Sequence, residues 1–359
     1  MLSDLHTVHP RTSRLSEVNF DALGFGDVFS DHMFSLCYDD GRWHTPEVLP
    51  YGPIEVEPSC VTLHYGQSVF EGLKAFKGHD HQIRLFRPDK NYERLTHSCE
   101  RLCIPMLPEA YFYEGIEALV RLDHEWIPSR RGQSLYVRPI IIGTEGLLEV
   151  RPGRSFRFLI MTAPVRAYFD ASASAIGLKV EERYTRASPG GTGAAKTAGN
   201  YAASLYPGER ARAEGYAQVL WLDGVEHRYV EEVGAMNIFF RMGGKVVTPE
   251  LRGTILHGVT RDSVLTLLQD SGEPVEERRI AIDELVDGVR AGEVTEAFGA
   301  GTAAIIAPVG KIAYKDEVVT INQGEAGPLT QDLYDRITRI QLGETNDLHN
   351  WNRIVPLQT

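Results

Sequence analysis

No apolar run in this 359-residue chain approaches the roughly 20 residues that a bilayer-spanning helix needs. The stretch from Met1 to Phe20 has no hydrophobic segment of the signal-peptide kind. It holds Arg11, Arg14 and several hydroxyl residues, but Asp4 and Glu17 set it apart from an acid-poor transit peptide. A cytoplasmic location is the expectation. Cysteine is scarce: Cys37, Cys60, Cys99 and Cys103 give neither a metal-ligand spacing nor a dense disulfide framework. Cys99 and Cys103 stand four apart on an expected helix and read as small buried apolar residues of a reducing compartment. Positive charge is also short. Lys and Arg number 37 against 49 Asp and Glu, and the net charge of -12 argues against non-specific binding to nucleic acid or anionic membrane. No repeat or low-complexity tract is present. His79-Asp80-His81 is short, polar and set between two strand candidates, so it reads as a solvated turn and no metal is expected.

What is present is ordinary globular material, 43% hydrophobic, long enough for two domains around separate cores. Strand-like runs recur at Val61–His64, Ile83–Phe86, Leu135–Val137 with Ile140–Ile142, and Phe156–Thr162. Helix-like stretches lie near Lys90–Arg101 and Tyr113–Trp126; in the first, Leu95, Cys99, Leu102 and Cys103 share a face. Residues 170–175, small and polar, mark a linker. Beyond it, Val219–Leu222, Asn237–Arg241 and Lys245–Thr248 resemble a meander, with Asp223-Gly224 opening one connection and Gly243-Gly244 turning the last pair. A helix should start near Gly258-Val259-Thr260, with Asp262 in its first turn and Val264, Leu267 and Leu268 on its apolar face. The pattern predicts a smaller N-terminal α+β domain, 1–169, and a larger mixed α/β domain, 176–359, with a cleft between them.

The most unusual segment is Gly190-Gly191-Thr192-Gly193-Ala194-Ala195-Lys196-Thr197-Ala198-Gly199-Asn200-Tyr201. A lysine inside a run of glycine and alanine suits close approach of a flat ligand, and small apolar neighbours strip water from an amine and favour its nucleophilic form. Gly190 to Thr197 nearly matches the phosphate-binding loop of nucleotide hydrolases. Ala195 stands where that loop requires glycine, and the charged stretch Glu181–Pro189 is not the buried strand such a loop follows. On its own, a lysine is most often a solvated surface residue.

That segment resembles the cofactor-lysine motif of branched-chain amino acid aminotransferases, in the class IV (fold type IV, D-amino acid aminotransferase-like) group of pyridoxal 5′-phosphate enzymes. The resemblance includes His64-Tyr65-Gly66-Gln67-Ser68-Val69-Phe70-Glu71-Gly72, Tyr136-Val137-Arg138-Pro139, Glu231-Glu232-Val233-Gly234-Ala235-Met236-Asn237, Gly258-Val259-Thr260-Arg261 and Gly299-Ala300-Gly301-Thr302-Ala303-Ala304. The blocks occur in the family's order over roughly Phe25 to Gly343, and the bacterial form is the nearest in pattern.

The resemblance implies roles. Lys196 would bind pyridoxal 5′-phosphate through its amine and later carry the proton of the substrate α-carbon. Glu232 would face the pyridine nitrogen and favour its protonated state. Glu231, on the opposite face of a regular strand, would be solvated. Tyr201 would hydrogen-bond the ring hydroxyl oxygen. Arg94 would give the phosphate a bidentate fork, joined by the amides of Val259 and Thr260 at a helix start and by Thr302. Tyr65, Phe70, Tyr136 and Tyr168 would wall an apolar substrate pocket, and the substrate carboxylate would meet Tyr65, the Arg138 region and the amides of Ala303 and Ala304. Without the family, that aromatic set would read as core packing, Tyr201 as a core residue and Arg94 as a surface one. The implied reaction is reversible transfer of an amino group from leucine, isoleucine or valine to 2-oxoglutarate, by a homodimer whose sites are completed by the neighbour.

Departures from the family pattern are specific. Ala304 and Ala307 replace a redox cysteine pair of some animal members, so no thiol switch is expected there. Ala235 replaces a threonine donor. Glu149, in the loop Gly143–Val150, replaces a glycine, which would alter the loop path if positive φ is needed and could repel acidic substrates. Pro207-Gly208 should end or kink the helix after Tyr201. D-amino acid aminotransferases and aminodeoxychorismate lyases share the lysine and glutamate but differ in the His-Tyr-Gly and Tyr-x-Arg-Pro blocks. A non-catalytic binding protein of the same fold is the alternative from another class.

Overall fold

The computed structural model describes residues 5–166 and 175–357. The expected linker, apart from Ala175, and Tyr168 lie outside the described residues. The chain divides into two compact units, Met1–Tyr168 with Ala195–Ala198 and Thr338–Thr359, and Phe169–Ala194 with Gly199–Ile337. The first unit is therefore not continuous in sequence. The C-terminal strand Asn352–Val355 joins it by pairing antiparallel with Ile83–Phe86, which a linear reading with a second domain of 176–359 does not anticipate.

Unit 1 is built on a ten-stranded sheet among the described residues. Its main strands are β1 (His32–Asp39), β2 (Glu47–Pro50), β3 (Ser68–Phe70), β4 (Leu73–Lys77), β5 (Ile83–Phe86), β6 (Ser134–Gly143) and β7 (Phe156–Val165). Strand alternation sorts their residues. Leu73, Ala75, Leu135, Val137, Phe158 and Ile160 join the core, where helices α2 (Pro88–Arg101) and α3 (Glu109–Leu122) add Leu95, Cys99, Phe112, Ile116 and Leu119. Each such large side chain stabilises by about 1.5–3 kcal/mol. The opposite face of the same strands carries Phe70, Lys74, Tyr136, Arg138 and Ile140, because Phe70 pairs with Ile140 and Lys74 with Tyr136.

Three local expectations are corrected in this unit. Val61–His64 is not a strand but the start of a five-residue helix, α1 (Val61–Tyr65), which closes on Gly66 in the left-handed conformation. Four residues cannot separate period 2 from period 3.6. The Tyr113–Trp126 helix begins four residues earlier, at Glu109, and ends at Leu122 before a separate turn, His124–Trp126. Cys103 is exposed, because α2 ends at Arg101 and Cys103 takes φ 53° just beyond it. Cys99 is buried as expected, and burial followed by the Glu71 charge pushes its thiol up to about 12.

Unit 2 contains a nine-stranded mixed sheet among the described residues. It includes β8 (Ile176–Glu181), β9 (Gln218–Leu222), β10 (Val230–Val233), β11 (Met236–Met242), β12 (Lys245–Thr248), β13 (Val294–Gly301) and β14 (Ile305–Tyr314). Going round, β10, β9, β8, β14, β13 and β11 pair in that order, and β11 pairs back to β10, so these strands close into a ring. The expected Gly243-Gly244 turn joins β11 to β12. Helix α4 (Ala198–Ala213) runs through Pro207, so the expected helix end does not occur there. One missing donor does not end a sixteen-residue helix whose other bonds lie on both sides of it. Helix α5 (Val259–Asp270) starts after Gly258 as expected and buries Val264, Leu267 and Leu268. No helix of the described residues is long and apolar enough to cross a membrane.

Candidate active site

In unit 1 the lysine segment is held as a short extra strand. The Phe70 amide donates to the Lys196 carbonyl at 3.0 Å, and Val69 bridges Thr197. The Lys196 amide donates to Ser98 Oγ at 2.9 Å, and Thr197 Oγ1 donates to the Ser68 carbonyl at 2.7 Å. Four anchors on one short stretch fix the direction of the lysine side chain. Its Nζ lies 4.9 Å from the Phe70 ring centroid.

Next along this face is Arg138, whose guanidinium carbon stands 4.7 Å from the Phe70 centroid and 5.2 Å from that of Tyr136. Its Nη2 donates to the Tyr136 hydroxyl at 3.0 Å, while its Nε is buried with no hydrogen-bond partner. A buried unsatisfied guanidinium donor is costly and suits an anionic ligand. Tyr136 fits only because residue 72 is glycine: a Cβ there would stand 2.0 Å from the Tyr136 hydroxyl. Lys74 completes the row. It is 4% exposed, and burial brings its amine down to about 7. Sequence reading passed over it.

Arg94 takes a different partner from the one expected. Its Nε and Nη2 donate to Glu71 Oε1 and Oε2, each at 2.8 Å, so the bidentate edge faces a carboxylate of the protein itself. Glu71 is fully buried and also accepts from Asn91 Nδ2 at 2.7 Å. Burial acts to raise its proton affinity, but the Arg94 charge and hydrogen bonds, then Lys196 and Asn91, hold its carboxyl below the usual range. Tyr65 is not gathered with the other aromatics. It is 42% exposed and its hydroxyl donates to the Leu148 carbonyl. Glu149, in the same loop, is not among the residues with positive φ, so this path does not require a glycine there.

In unit 2, Glu232 sits in β10 with both oxygens engaged. Oε1 accepts from the Leu256 amide at 2.9 Å and from Asn237 Nδ2 at 3.4 Å; Oε2 is 2.6 Å from Arg186 Nε. Arg186, which sequence reading missed, also donates through Nη2 to the carbonyls of Gly193 and Thr254, at 3.1 and 2.5 Å. Only glycine allows that approach, since a Cβ at 193 would lie 2.3 Å from the Thr254 oxygen. Asn200 clasps the glycine loop to α4 by two bonds to Thr192, both 2.7 Å, one residue before Tyr201. Glu231, expected to be solvated, is buried, because β10 is covered on both faces.

The start of α5 has no side-chain cap, and Val259 and Thr260 are both buried there. Such a start offers backbone donors and the positive end of the helix dipole to an anion. Thr302, Ala303 and Ala304 form the tight turn between β13 and β14, closed by the Gly301–Ile305 pair. Ile305 has φ 64°, a strained conformation for a β-branched residue. Among the described residues, no group of three or more His, Cys, Asp or Glu could hold a metal ion; Asp80 is paired with Arg84 instead.

The family model for amino-transferase class IV matches residues 68–312. Branched-chain-amino-acid aminotransferase 2 of Bacillus subtilis (strain 168) is 48% identical over 338 residues, 94% of this chain and 93% of that protein. The solved branched-chain amino acid aminotransferase of Escherichia coli superposes with a TM-score of 0.75 at 28% identity, covering 91% of this chain and 99% of that one. A T.th. branched-chain amino acid aminotransferase complexed with N-(5′-phosphopyridoxyl)-L-glutamate gives 0.72 at 28% identity, covering 89% and 98%.

Proposed function

This chain belongs to the class IV aminotransferases and, within them, to the branched-chain-amino-acid aminotransferases; from that membership we propose that it transfers the amino group of L-leucine, L-isoleucine or L-valine to 2-oxoglutarate, using pyridoxal 5′-phosphate and yielding the branched-chain 2-oxo acid and L-glutamate. The residues present fit that cofactor: an amine at Lys196, a fully engaged carboxylate at Glu232, and an uncapped helix start at Val259 and Thr260. When bound, the cofactor supplies an electron sink for the carbanion formed at the substrate α-carbon.

The chain's own residues do the rest. Lys196 holds the cofactor and, once released, moves the α-proton. Glu232 keeps a negative charge for the protonated ring nitrogen, and Tyr201 supports the ring oxygen. The amides of Val259 and Thr260, with Thr302, receive the phosphate. Arg94 adds positive charge, with its Nε and Nη2 held by Glu71. On the substrate side, Phe70 and Tyr136 offer the apolar wall; the places of Tyr65 and Tyr168 in it rest on the family pattern alone. Arg138 and the amides of Ala303 and Ala304 receive the carboxylate. Two half-reactions on one site predict ping-pong kinetics.

The single observation carrying this reading is the wall of Lys196, Phe70, Arg138 and Tyr136, with its orphaned Arg138 Nε. The test is a coupled amino-donor screen on wild type and Lys196→Ala. Turnover of branched aliphatic donors, abolished in the variant, is expected. Preference for D-alanine, or an unchanged variant, would sink the reading. Borohydride reduction with the cofactor, then peptide mapping, should label Lys196.

A homodimer is part of the same reading. Leu63, Tyr65, Leu148 and Val150 are exposed large apolar residues of α1 and the loop after β6, Val150 at 81%. The Tyr65–Leu148 bond ties the two segments together. Such a patch suits a second copy of the chain. Val150→Glu with Leu148→Glu should lower the sedimentation mass; an unchanged mass would rule this surface out.

A further inference from the structure

Glu231 has no part in the function described above, yet it is one of the most constrained carboxyl groups in unit 2. It is 7% exposed. Its Oε1 lies 2.5 Å from Thr254 Oγ1, and its Oε2 is buried with no hydrogen-bond partner. An ionised carboxylate has two acceptor oxygens, and leaving one dry costs the desolvation of a charged atom. A carboxylic acid incurs much less of that cost.

The surrounding charges point the same way. Arg186 and Thr254 face Glu231 from the segment after β8 and the loop before α5, Asp223 from the end of β9, and Glu232 from its own strand. Arg186 is thus the one cation resolved at Glu231, against two carboxylates, and of these Asp223 is also met by Arg279. Arg186 cannot turn to Glu231, since its Nη2 is bound to two carbonyls and its Nε lies against Glu232. Asp223 is satisfied locally. Burial acts to raise its proton affinity, but the amides of Glu226, Arg228, Tyr229 and Val225 outweigh that and hold it near 2.

We propose that Glu231 is a positioning residue for Glu232: it stays an uncharged carboxylic acid, so that Arg186 answers Glu232 alone. The proposal rests on the reading of Glu232 as the acid facing the cofactor nitrogen. Burial raises the proton affinity of Glu231, Thr254 and Arg186 oppose this, and Glu232 and Asp223 reinforce it, with a net shift upward from the usual glutamate value of 4.5. If Glu231 ionised, a second anion would compete for the same guanidinium. Glu232 would then hold a proton more readily and lose the charge its role requires.

Infrared difference spectroscopy of the apoprotein reads the proton directly, independent of turnover. Wild type should keep a protonated-carboxyl band at pH values above 4.5 that Glu231→Gln lacks. Thr254→Val, which removes a bond favouring the charged form, should move the fading of that band to higher pH. Titration with pyridoxal 5′-phosphate gives the second readout. In Glu231→Gln the affinity should stay within about twofold of wild type at mildly acidic pH and lose its decline as pH rises. Identical spectra of wild type and Glu231→Gln across that range would overturn the proposal. So would a Glu231→Gln affinity reduced equally at every pH, because the group would then act as an anion. A wild type with the band but no transfer from branched-chain donors would instead defeat the functional reading alone.

Discussion

Two buried arginine–glutamate clusters, one in each unit, use similar parts with opposite results. In unit 1, Arg94 meets Glu71 through two bonds, Asn91 adds a third, and the Gly72 amide donates at 3.1 Å. Two cations, Arg94 in direct contact and then Lys196, act on one carboxylate, every oxygen is satisfied, and the acid is held below its usual range although fully buried. In unit 2, Arg186 faces Glu232 and Glu231 together, and Glu231 moves above its usual range. Both acids are shielded from water. The ratio of cations to acids, more than burial, decides whether a buried carboxyl is a fixed anchor or a holder of protons.

The sharpest way to break that comparison is Glu71→Gln. It removes the bidentate Glu71 charge from buried Arg94, and losing one member of a buried pair costs roughly 3–5 kcal/mol. Urea unfolding at neutral pH should show that loss. For wild type, the lowered value of Glu71 means that its contribution is complete above 4.5 and disappears as pH falls through the folded-state value. The variant should therefore approach wild-type stability in acid. A loss below about 1 kcal/mol at neutral pH would show that the cluster is not held by charge balance.

Lys74 extends the comparison to a cation that burial brings from 10.5 to about 7. The folded-state value lies below the unfolded one. Stability should then be complete above 10.5 and decline as pH falls toward about 7, where the folded protein must charge a buried amine. Lys74→Met should flatten this limb and exceed wild type below neutrality by a few kcal/mol, on the order of 1.4 per pH unit. A wild-type curve already flat over that window would mean that the ammonium is well solvated.

A smaller, linked effect belongs to Glu231. Its raised value means that stability is complete below 4.5 and is lost as pH rises through the folded-state value. Glu231→Gln should match wild type in acid and gain on it with rising pH, by at most about 1.4 kcal/mol per pH unit. Thermal melts across that range check the sign, which is opposite to that for Glu71→Gln.

These clusters also mark what the amino-acid order can and cannot reveal. Lys196 stood out locally because a charged residue inside a glycine and alanine run has few structural uses; its cofactor role belongs to the proposed function. The α5 start was legible because Gly258, Asp262 and the Val264–Leu267–Leu268 stripe are local signals that agree. Glu71, Lys74, Arg186 and Glu231 were not legible. Lys74 and Glu231 lie in strands, where a charged residue reads as solvent-facing, and Glu71 and Arg186 lie in connections, which read the same way; only a covering layer set by contacts distant in sequence reverses that. The Arg94 partner was missed for the same reason, since Glu71 lies 23 positions away. Cys103 and Val61–His64 failed locally, because helix ends and four-residue runs carry too little periodicity.

The smallest expected effect comes from a third arginine–glutamate cluster that differs from the second mainly in its exposure to water. Arg151 binds Glu145 through Nη1 and Nη2, at 3.1 and 2.8 Å, and its Nε lies 3.5 Å from Glu149. Arg151 again lies between two acids, and Arg154 adds its charge at Glu145. Here Glu145 is held below its usual range, first by its hydrogen bonds to Arg151, and Glu149 is 73% exposed. Water solvates Glu149 and supplies the counter-interaction that unit 2 lacks at Glu231. The half-neutralised Glu149 should also repel acidic substrates only weakly. Glu149→Gly is therefore expected to leave the melting temperature unchanged and to lower the KM for glutamate by less than about twofold, an effect that fades as salt shortens the screening length. A salt-independent change in KM of about tenfold or more would show that Glu149 meets the substrate directly. The exposed cluster would then belong with the buried ones, and hydration would not be what separates them.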